Sequence, residues 1–392
     1  MSYESTLKQF YKYKKEEFET IFKRKYNAPD TLHFNLNVGG HPAFFYFCYD
    51  IYKKIILIYS LTLEIYKIQN SLSELEKSFY IKNCLYNELV STNNIENIDS
   101  SKEQIVVLTE KKKVSELDKL ISIIKSYNLL LESKLQTVES CEDISNLYKE
   151  FFIELNDKDY IVDGNLFRKY SVGVYKLTDN DPIHKGASNE EEITTILKES
   201  LTIINNKDLE LSIRIALFHF FFEHAHPFYD GNGRIGRYLM SYFYKNEDNE
   251  IFAFNISSFI NKNKFKYYKL FENTEHPKNR GDLTTFVDGL LDIIIDGTNQ
   301  EITNIKKSIK LKEEYLNKNN DIISLLNKGE LSVFNYILAN SMFDDIGVSL
   351  NNIMNNLNIS ERNLRRIIKS LIDQNIVVVN HIKNKQFYLI NL

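Results

Sequence analysis

The stretch from His226 to Arg237, HPFYDGNGRIGR, decides how this chain is read. It follows DLELSIRIALFHFFFEHA, which is apolar nearly all round at Ile213, Ile215, Leu217, Phe218, Phe220, Phe221 and Phe222. A helix of that kind belongs in a core. The core helix should end near Ala225, the chain should turn through Pro227, and a new helix, GRIGRYLMSYFYK, should begin near Arg234. The Asp-Gly-Asn-Gly turn then lies at a helix N-terminus. There the first backbone N–H groups lack intrahelical partners and the dipole favours negative charge. Gly231 and Gly233 carry no side chain, so a phosphate can approach the backbone. Arg234 and Arg237 are three apart, share a helical face and have planar forks suited to phosphate oxygens. Asp230 offers a hard oxygen ligand of the kind Mg²⁺ takes. His226 can take a proton near neutral pH. A base, a metal ligand and an anion cradle together suit attack by a hydroxyl on a nucleotide phosphorus.

A chain of 392 residues suits two or three domains. With 43% hydrophobic and 26% charged residues it should be globular, and only five prolines favour a largely helical protein. The formal net charge of -4 argues against the whole molecule being a nucleic-acid or membrane-surface binder, while leaving room for a local basic patch. Cys48, Cys84 and Cys141 are widely spaced and odd in number, and read as buried thiols in a reducing compartment. The N-terminus has no signal-type apolar core, and no apolar stretch is long enough to cross a bilayer. A cytoplasmic location without a membrane partner is expected. His219, His224 and His226 lack the spacing of the usual zinc motifs.

Elsewhere the chain reads as helix at about 52–93, over Val114, Leu117, Leu120, Ile121, Ile124 and Tyr127, in NEEEITTILKESLTII, and in DLTTFVDGLLDIII from Asp282 to Ile295. Lys111, Lys112 and Lys113 read as a solvated helix end. In SVGVYKLTDNDP, Val172, Val174 and Lys176 alternate with Gly173, Tyr175 and Leu177 ahead of a turn signal, which predicts a short strand or hairpin. Residues near 300–328 read as a linking helix. The remainder reads as three helices followed by two short strands.

HPFYDGNGRIGR matches, at every specified position, the signature HPFx(D/E)GNGRxxR of the Fic family, and the resemblance covers roughly residues 60 to 300. It implies a helical core that moves AMP from ATP onto a protein hydroxyl and releases pyrophosphate. By resemblance, His226 is the base, Phe228 the loop's core anchor and Asp230 the Mg²⁺ ligand. Gly231, Asn232, Gly233 and Arg234 are the phosphate cradle, and Arg237 clamps the γ-phosphate. STNNIEN is similar to the family's inhibitory pattern (S/T)xxxE(G/N) through Thr92, Glu96 and Asn97. A glutamate on Arg237 would compete with the γ-phosphate for one guanidinium. KYSVGVYKL resembles the flap that holds a target segment by strand addition, with Val172, Gly173, Val174 and Tyr175 as its edge. Tyr267, Tyr268 and Asn279 fall in a segment similar to the one that closes over adenine.

The C-terminal residues resemble a winged helix-turn-helix. In ISERNLRRIIKSLIDQ, Ser360 is the expected N-cap and Leu364, Ile367, Ile368 and Leu371 form the buried stripe. Arg362, Arg365, Arg366 and Lys369 form a basic face for DNA, or the unit serves protein docking.

The expected fold is therefore mainly α: a Fic-type helical core with a short β-hairpin flap and a C-terminal winged helix-turn-helix domain. The expected divisions are 1–105 with the inhibitory helix, 106–300 as the catalytic domain, 301–328 as a linking helix and 329–392 as the winged unit. The expected function is an auto-inhibited adenylyltransferase using Mg²⁺ and ATP, acting on a target protein or on itself. Removal of AMP, transfer of another nucleotide, and a DNA-binding regulator with a nucleotide-sensing domain stand as alternatives, and homo-oligomerisation is left open.

Overall fold

The computed structural model describes residues 3–109, 121–134, 137–152, 161–175, 182–247, 249–383 and 385–392. Two short helices, α1 (Thr6–Lys12) and α2 (Lys15–Tyr26), precede an antiparallel hairpin, β1 (Thr31–Val38) and β2 (His41–Tyr46). Sequence reading missed this hairpin. Its signal was Gly39-Gly40, which turn at φ of 60° and 77°, the two-residue geometry that fits strand twist. The helices α3 (Tyr49–Asn70), α4 (Glu74–Ile95), α5 (Lys102–Thr109), α6 (Ile121–Leu131) and α7 (Cys141–Phe152) follow. A short hairpin comes next, β3 (Gly173–Tyr175) paired antiparallel with β4 (Pro182–Lys185). Then come α8 (Glu190–Asn205), α9 (Leu211–Ala225), α10 (Asn232–Asn246), α11 (Glu250–Ala253), α12 (Ile256–Lys262) and α13 (Lys264–Glu275). A 3₁₀ turn, Pro277–Asn279, leads into α14 (Thr284–Lys318), which fuses two helices expected to be separate. The chain ends with α15 (Asn320–Ser324), α16 (Lys328–Ser341), β5 (Val348–Ser349), α17 (Leu350–Leu357), α18 (Glu361–Asp373), β6 (Val378–Ile382) and β7 (Lys385–Leu389). The fold is mainly helical with small antiparallel sheets. Lys111 to Lys113, Val114, Leu117 and Leu120 lie outside the described residues, as do Lys176, Leu177 and the turn from Thr178 to Asp181.

The chain forms two compact units, one of residues 1–60, 91–99 and 114–297, the other of 61–90, 100–113 and 298–392. This differs from the linear partition at 105, 300 and 328. The reason is that α3, α4 and α14 each run through a unit boundary, so segments far apart in sequence share one core. In the second unit, Phe79 of α4 joins Val333, Ile337, Ile353, Leu364 and Leu371, with its ring 5.1 Å from that of Tyr336. Lys102 pairs with Asp344 at 3.0 Å in the same unit. There α16, β5, α17, α18 and the β6–β7 hairpin succeed one another, in a sheet of order β5-β7-β6. Ser360 has the extended backbone of an N-cap but makes no side-chain capping bond.

In the first unit α9 is the central helix. Its residues from Ser212 to Phe222 are all buried, as its apolar circumference requires. A second anchor ties the N-terminal segment to this unit. Asp282 is fully buried and accepts from Thr6 Oγ1 (2.6 Å), Lys25 Nζ (3.1 Å), Tyr3 Oη (3.2 Å) and the Thr284 N–H (3.1 Å). Beside it, Phe44 of β2 donates to the Gly281 carbonyl at 2.9 Å and accepts from the Leu283 N–H at 2.8 Å. Burial by itself would raise the Asp282 pKa. Lys25 and the bonds from Thr6 and Thr284 outweigh it and hold the carboxyl below its ordinary value. A depressed carboxyl contributes stability that is complete above its unfolded pKa, about 3.9, and lost as pH falls through the folded value. Asp282→Ala should therefore cost about 3–5 kcal/mol in urea unfolding at neutral pH, because it strands the Lys25 ammonium. The gap between variant and wild type should narrow as the pH is taken below about 4.

Candidate functional site

The loop between α9 and α10 is held from three sides. His226 ends α9 with a left-handed backbone, φ 49°, a conformation that costs energy outside glycine and recurs at functional sites. A buried guanidinium stabilises that turn. Arg168 Nε donates to the His226 carbonyl at 2.7 Å, Nη2 to the Ala225 carbonyl at 3.1 Å, and Nη1 to the Tyr170 carbonyl. The Arg168 backbone N–H donates to the Pro227 carbonyl at 3.1 Å. Two successive carbonyls at the C-terminus of α9, those of Ala225 and His226, thus face one cation, where the dipole favours positive charge. Burial pulls the Arg168 pKa down from its ordinary value. Gly186, just after β4, completes the arrangement: a β-carbon there would lie 2.7 Å from Arg168 Nη2 and 2.8 Å from His226 Cβ.

The second hold comes from α7. The Phe228 ring is buried and stacks on Tyr148 at 3.6 Å and 6°, while Tyr148 Oη donates to the Asp230 carbonyl at 3.0 Å. Phe152 lies 4.9 Å from the buried Arg234 guanidinium, a cation–π contact. The third hold is internal. Asn232 Nδ2 donates to the Phe228 carbonyl (2.8 Å), and Asn232 Oδ1 accepts from the Phe228 N–H (2.9 Å). The Asn232 side chain, expected in a phosphate cradle, is therefore spent on closing the loop. What remains at the start of α10 is its N-terminal backbone.

Arg237 is fully buried on the next turn of α10. Its Nε donates to Thr92 Oγ1 at 3.1 Å, and Nη2 donates to the Thr92 carbonyl at 3.0 Å and to Glu96 Oε1 at 2.7 Å. Burial would lower the Arg237 pKa, but Glu96, then Tyr267 and Tyr268, turn the shift upward. Gly233 makes room for the same carboxylate: a β-carbon there would lie 2.1 Å from Glu96 Oε1. Glu96 thus occupies both the guanidinium and the N-terminal turn of α10. It sits just past the end of α4, in a Schellman motif. The Ile98 N–H donates to the Asn93 carbonyl at 3.0 Å and the Asn97 N–H to the Asn94 carbonyl at 3.2 Å, with Asn97 at φ 58°. Glycine or asparagine is what that left-handed position prefers, which is the physical content of the last letter of the pattern. From α13, Lys264 Nζ binds the Asn94 carbonyl (2.9 Å) and Asn97 Oδ1 (2.7 Å), and Tyr268 Oη donates to the Ile95 carbonyl (3.0 Å).

The other expected residues divide. Tyr267 is buried with its hydroxyl 2.7 Å from His219 Nε2, and burial, aided by Arg237, pushes the His219 pKa down to about 3, so that ring stays neutral. Asn279 does not join the loop. Its amide donates to the Thr274 and Asp282 carbonyls (3.1 and 2.8 Å) and its oxygen accepts from the Leu7 N–H, because the TEHPKNR segment folds into the 3₁₀ turn. Asp230 is exposed, with Oδ2 3.7 Å from Arg234. Among the described residues no group of three His, Cys, Asp or Glu is gathered. One solvent-facing carboxylate beside a helix N-terminus fits Mg²⁺ held mostly by phosphate and water, and does not fit a dedicated protein cage. Gly173 to Tyr175 form β3, with Gly173 opposite Lys185 and Val174 opposite His184. On α18, Arg362, Arg365, Arg366 and Lys369 are all exposed. Arg365 pairs with Glu361 at 2.7 Å, and Arg366 donates to Asn363 at 3.0 Å. Sequence reasoning missed Arg168, Tyr148, Phe152 and Lys264. The glycine in HKGAS, which admits Arg168 and His226 side by side, was the available hint. Arg168→Met should destabilise the protein by on the order of 3 kcal/mol in urea unfolding, since it removes charge-assisted bonds and strands buried carbonyls.

Residues 140–244 match the model of the Fic/DOC family, a span that holds α7, the β3–β4 hairpin, α8, α9, the loop and nearly all of α10. No curated protein matches the chain. Among solved structures the chain is similar to a Fic family protein from Desulfovibrio desulfuricans G20, at 16% identity and a TM-score of 0.52, over 86% of this chain and 96% of that one. It is also similar to residues 134–508 of Fic-1 from C. elegans, at 17% identity and a TM-score of 0.44, over 65% and 74% of the two chains. A Fic domain containing signaling protein from Bacteroides thetaiotaomicron gives 20% identity and a TM-score of 0.46, over 64% and 98%. Across residues 140–244, less than half of the chain, the protein is similar to the Fic/DOC family.

Proposed function

We propose that the protein is an auto-inhibited adenylyltransferase that moves AMP from ATP onto a hydroxyl of a target protein or of itself. The supporting observation is Glu96, whose carboxylate contacts Arg237 at 2.7 Å and lies over Gly233. A carboxylate bound at a buried guanidinium and a helix N-terminus marks the place as an anion site. On this reading ATP lays its phosphates along the start of α10 once Glu96 withdraws, and Arg237 exchanges the carboxylate for the terminal phosphate. His226 takes the proton from the target hydroxyl as its oxygen bonds to the α-phosphorus. The bond from that phosphorus to the oxygen bridging the β-phosphate breaks, and pyrophosphate leaves. A Mg²⁺ held through Asp230 would offset phosphate charge. Arg168 and Phe228 fix the loop on which His226 and Asp230 stand, and Tyr268, partly exposed, suits the edge of the base. The edge from Val172 to Tyr175 would take a target segment as an added strand.

Incubation with labelled ATP and Mg²⁺ tests this. Glu96→Gly should incorporate label, onto itself or onto lysate proteins, well above the wild-type level. His226→Ala in the same background should abolish it. Absence of transfer by Glu96→Gly refutes the proposal.

For the C-terminal segment a second reading rests on the four exposed cations of α18. The α16–β5–α17–α18–β6–β7 order suits a winged helix that offers α18 to a DNA groove. A gel shift with genomic fragments should show binding that Arg365→Ala/Arg366→Ala weakens. Binding that is absent, or unaltered in the variant, removes the idea.

A further inference from the structure

Helix α3 carries apolar residues on two opposite faces. Ile51, Ile55, Ile58 and Ile65 are buried. Across the helix, Tyr49, Tyr52, Ile56, Tyr59, Leu63 and Tyr66 are exposed, with Tyr49 at 70%, Ile56 at 51% and Leu63 at 60%. Exposed apolar residues scattered singly need no explanation, but a continuous row does. The spacing along this row alternates strictly between three and four residues. That is the seam of paired helices, narrower than the stripe of a helix lying on a core.

We propose that this face of α3 docks against α3 of a second copy of the chain, antiparallel about a two-fold axis level with the middle of the helix. Three arguments favour that occupant. The row is self-complementary when reversed: Tyr49 falls opposite Tyr66 of the copy, Tyr52 opposite Leu63, and Ile56 opposite Tyr59, as a closed isologous contact requires. Charge agrees with it. Lys53 is paired with Asp50 of its own helix at 2.6 Å and in this register faces Ser60 of the copy, so like charges do not confront each other. Area agrees as well. With about 150–250 Å² for each aromatic side chain, the exposed fractions offer on the order of 700 Å². A standard interface needs roughly 800 Å² from each partner.

Sedimentation equilibrium of the full chain tests the proposal. The wild type should sediment at twice the 46.2 kDa of one chain. Ile56→Asp/Tyr59→Asp should sediment at the single-chain mass with an unchanged circular dichroism spectrum. Tyr52→Lys/Leu63→Lys repeats the measurement with different side chains in case the first pair perturbs folding. Single-chain mass for the wild type at high micromolar concentration overturns the proposal. So does a two-chain mass that survives both substitutions, or a single-chain wild type that binds anionic phospholipid vesicles through this face.

Discussion

A guanidinium buried in a helical core must find oxygen acceptors, because water is not there to supply them. Arg237 donates to three acceptors on one segment, Thr92 to Glu96, more than a hundred residues earlier in the chain. That need binds the end of α4 to the start of α10. It also places the α4 terminus beside α13, whose Lys264 and Tyr268 satisfy carbonyls that a helix end would otherwise leave open.

Opposed fields act on Glu96. The C-terminal dipole of α4 disfavours a carboxylate just past its last turn, and the N-terminal dipole of α10 favours one. Arg237 and the N-terminal turn of α10 decide the balance in favour of the contact. An anion with more charge and more oxygens could take over the same guanidinium, so on the proposed reading this contact is both a structural requirement and a replaceable one. The neighbouring loop behaves differently. Arg168, Tyr148, Phe228 and Asn232 over-determine it, and this is what lets His226 keep a left-handed backbone.

Much of the local structure was legible in the chain. The all-round apolar run before His226 could only be a core helix, and glycines followed by arginines could only begin another. The short hairpin after Ser171 was visible in its alternation. The N-terminal hairpin was missed although its signals were present: Thr31 to Val38 alternates strictly between polar and apolar residues, and Gly39-Gly40 marks the turn. Asn279 lies apart from the loop because the 3₁₀ turn at Pro277 directs its amide into the backbone around Asp282. The partition into linear domains differed for another reason: long helices such as α4 and α14 read as single elements and carry no sign of where a core begins or ends along them.

By itself, then, the sequence determined which residue types stand at the turn between α9 and α10, and the periodicity that makes each helix. Those depend on neighbours within a few positions, where propensity, capping and spacing act. Only the tertiary structure decided which distant groups meet there. The resemblance implied Glu96 on Arg237, but that its carboxylate also lies over Gly233, and that Arg168 caps α9, follows from how buried charges are satisfied after the helices pack. Packing of that kind leaves no period in the chain from which it could be read.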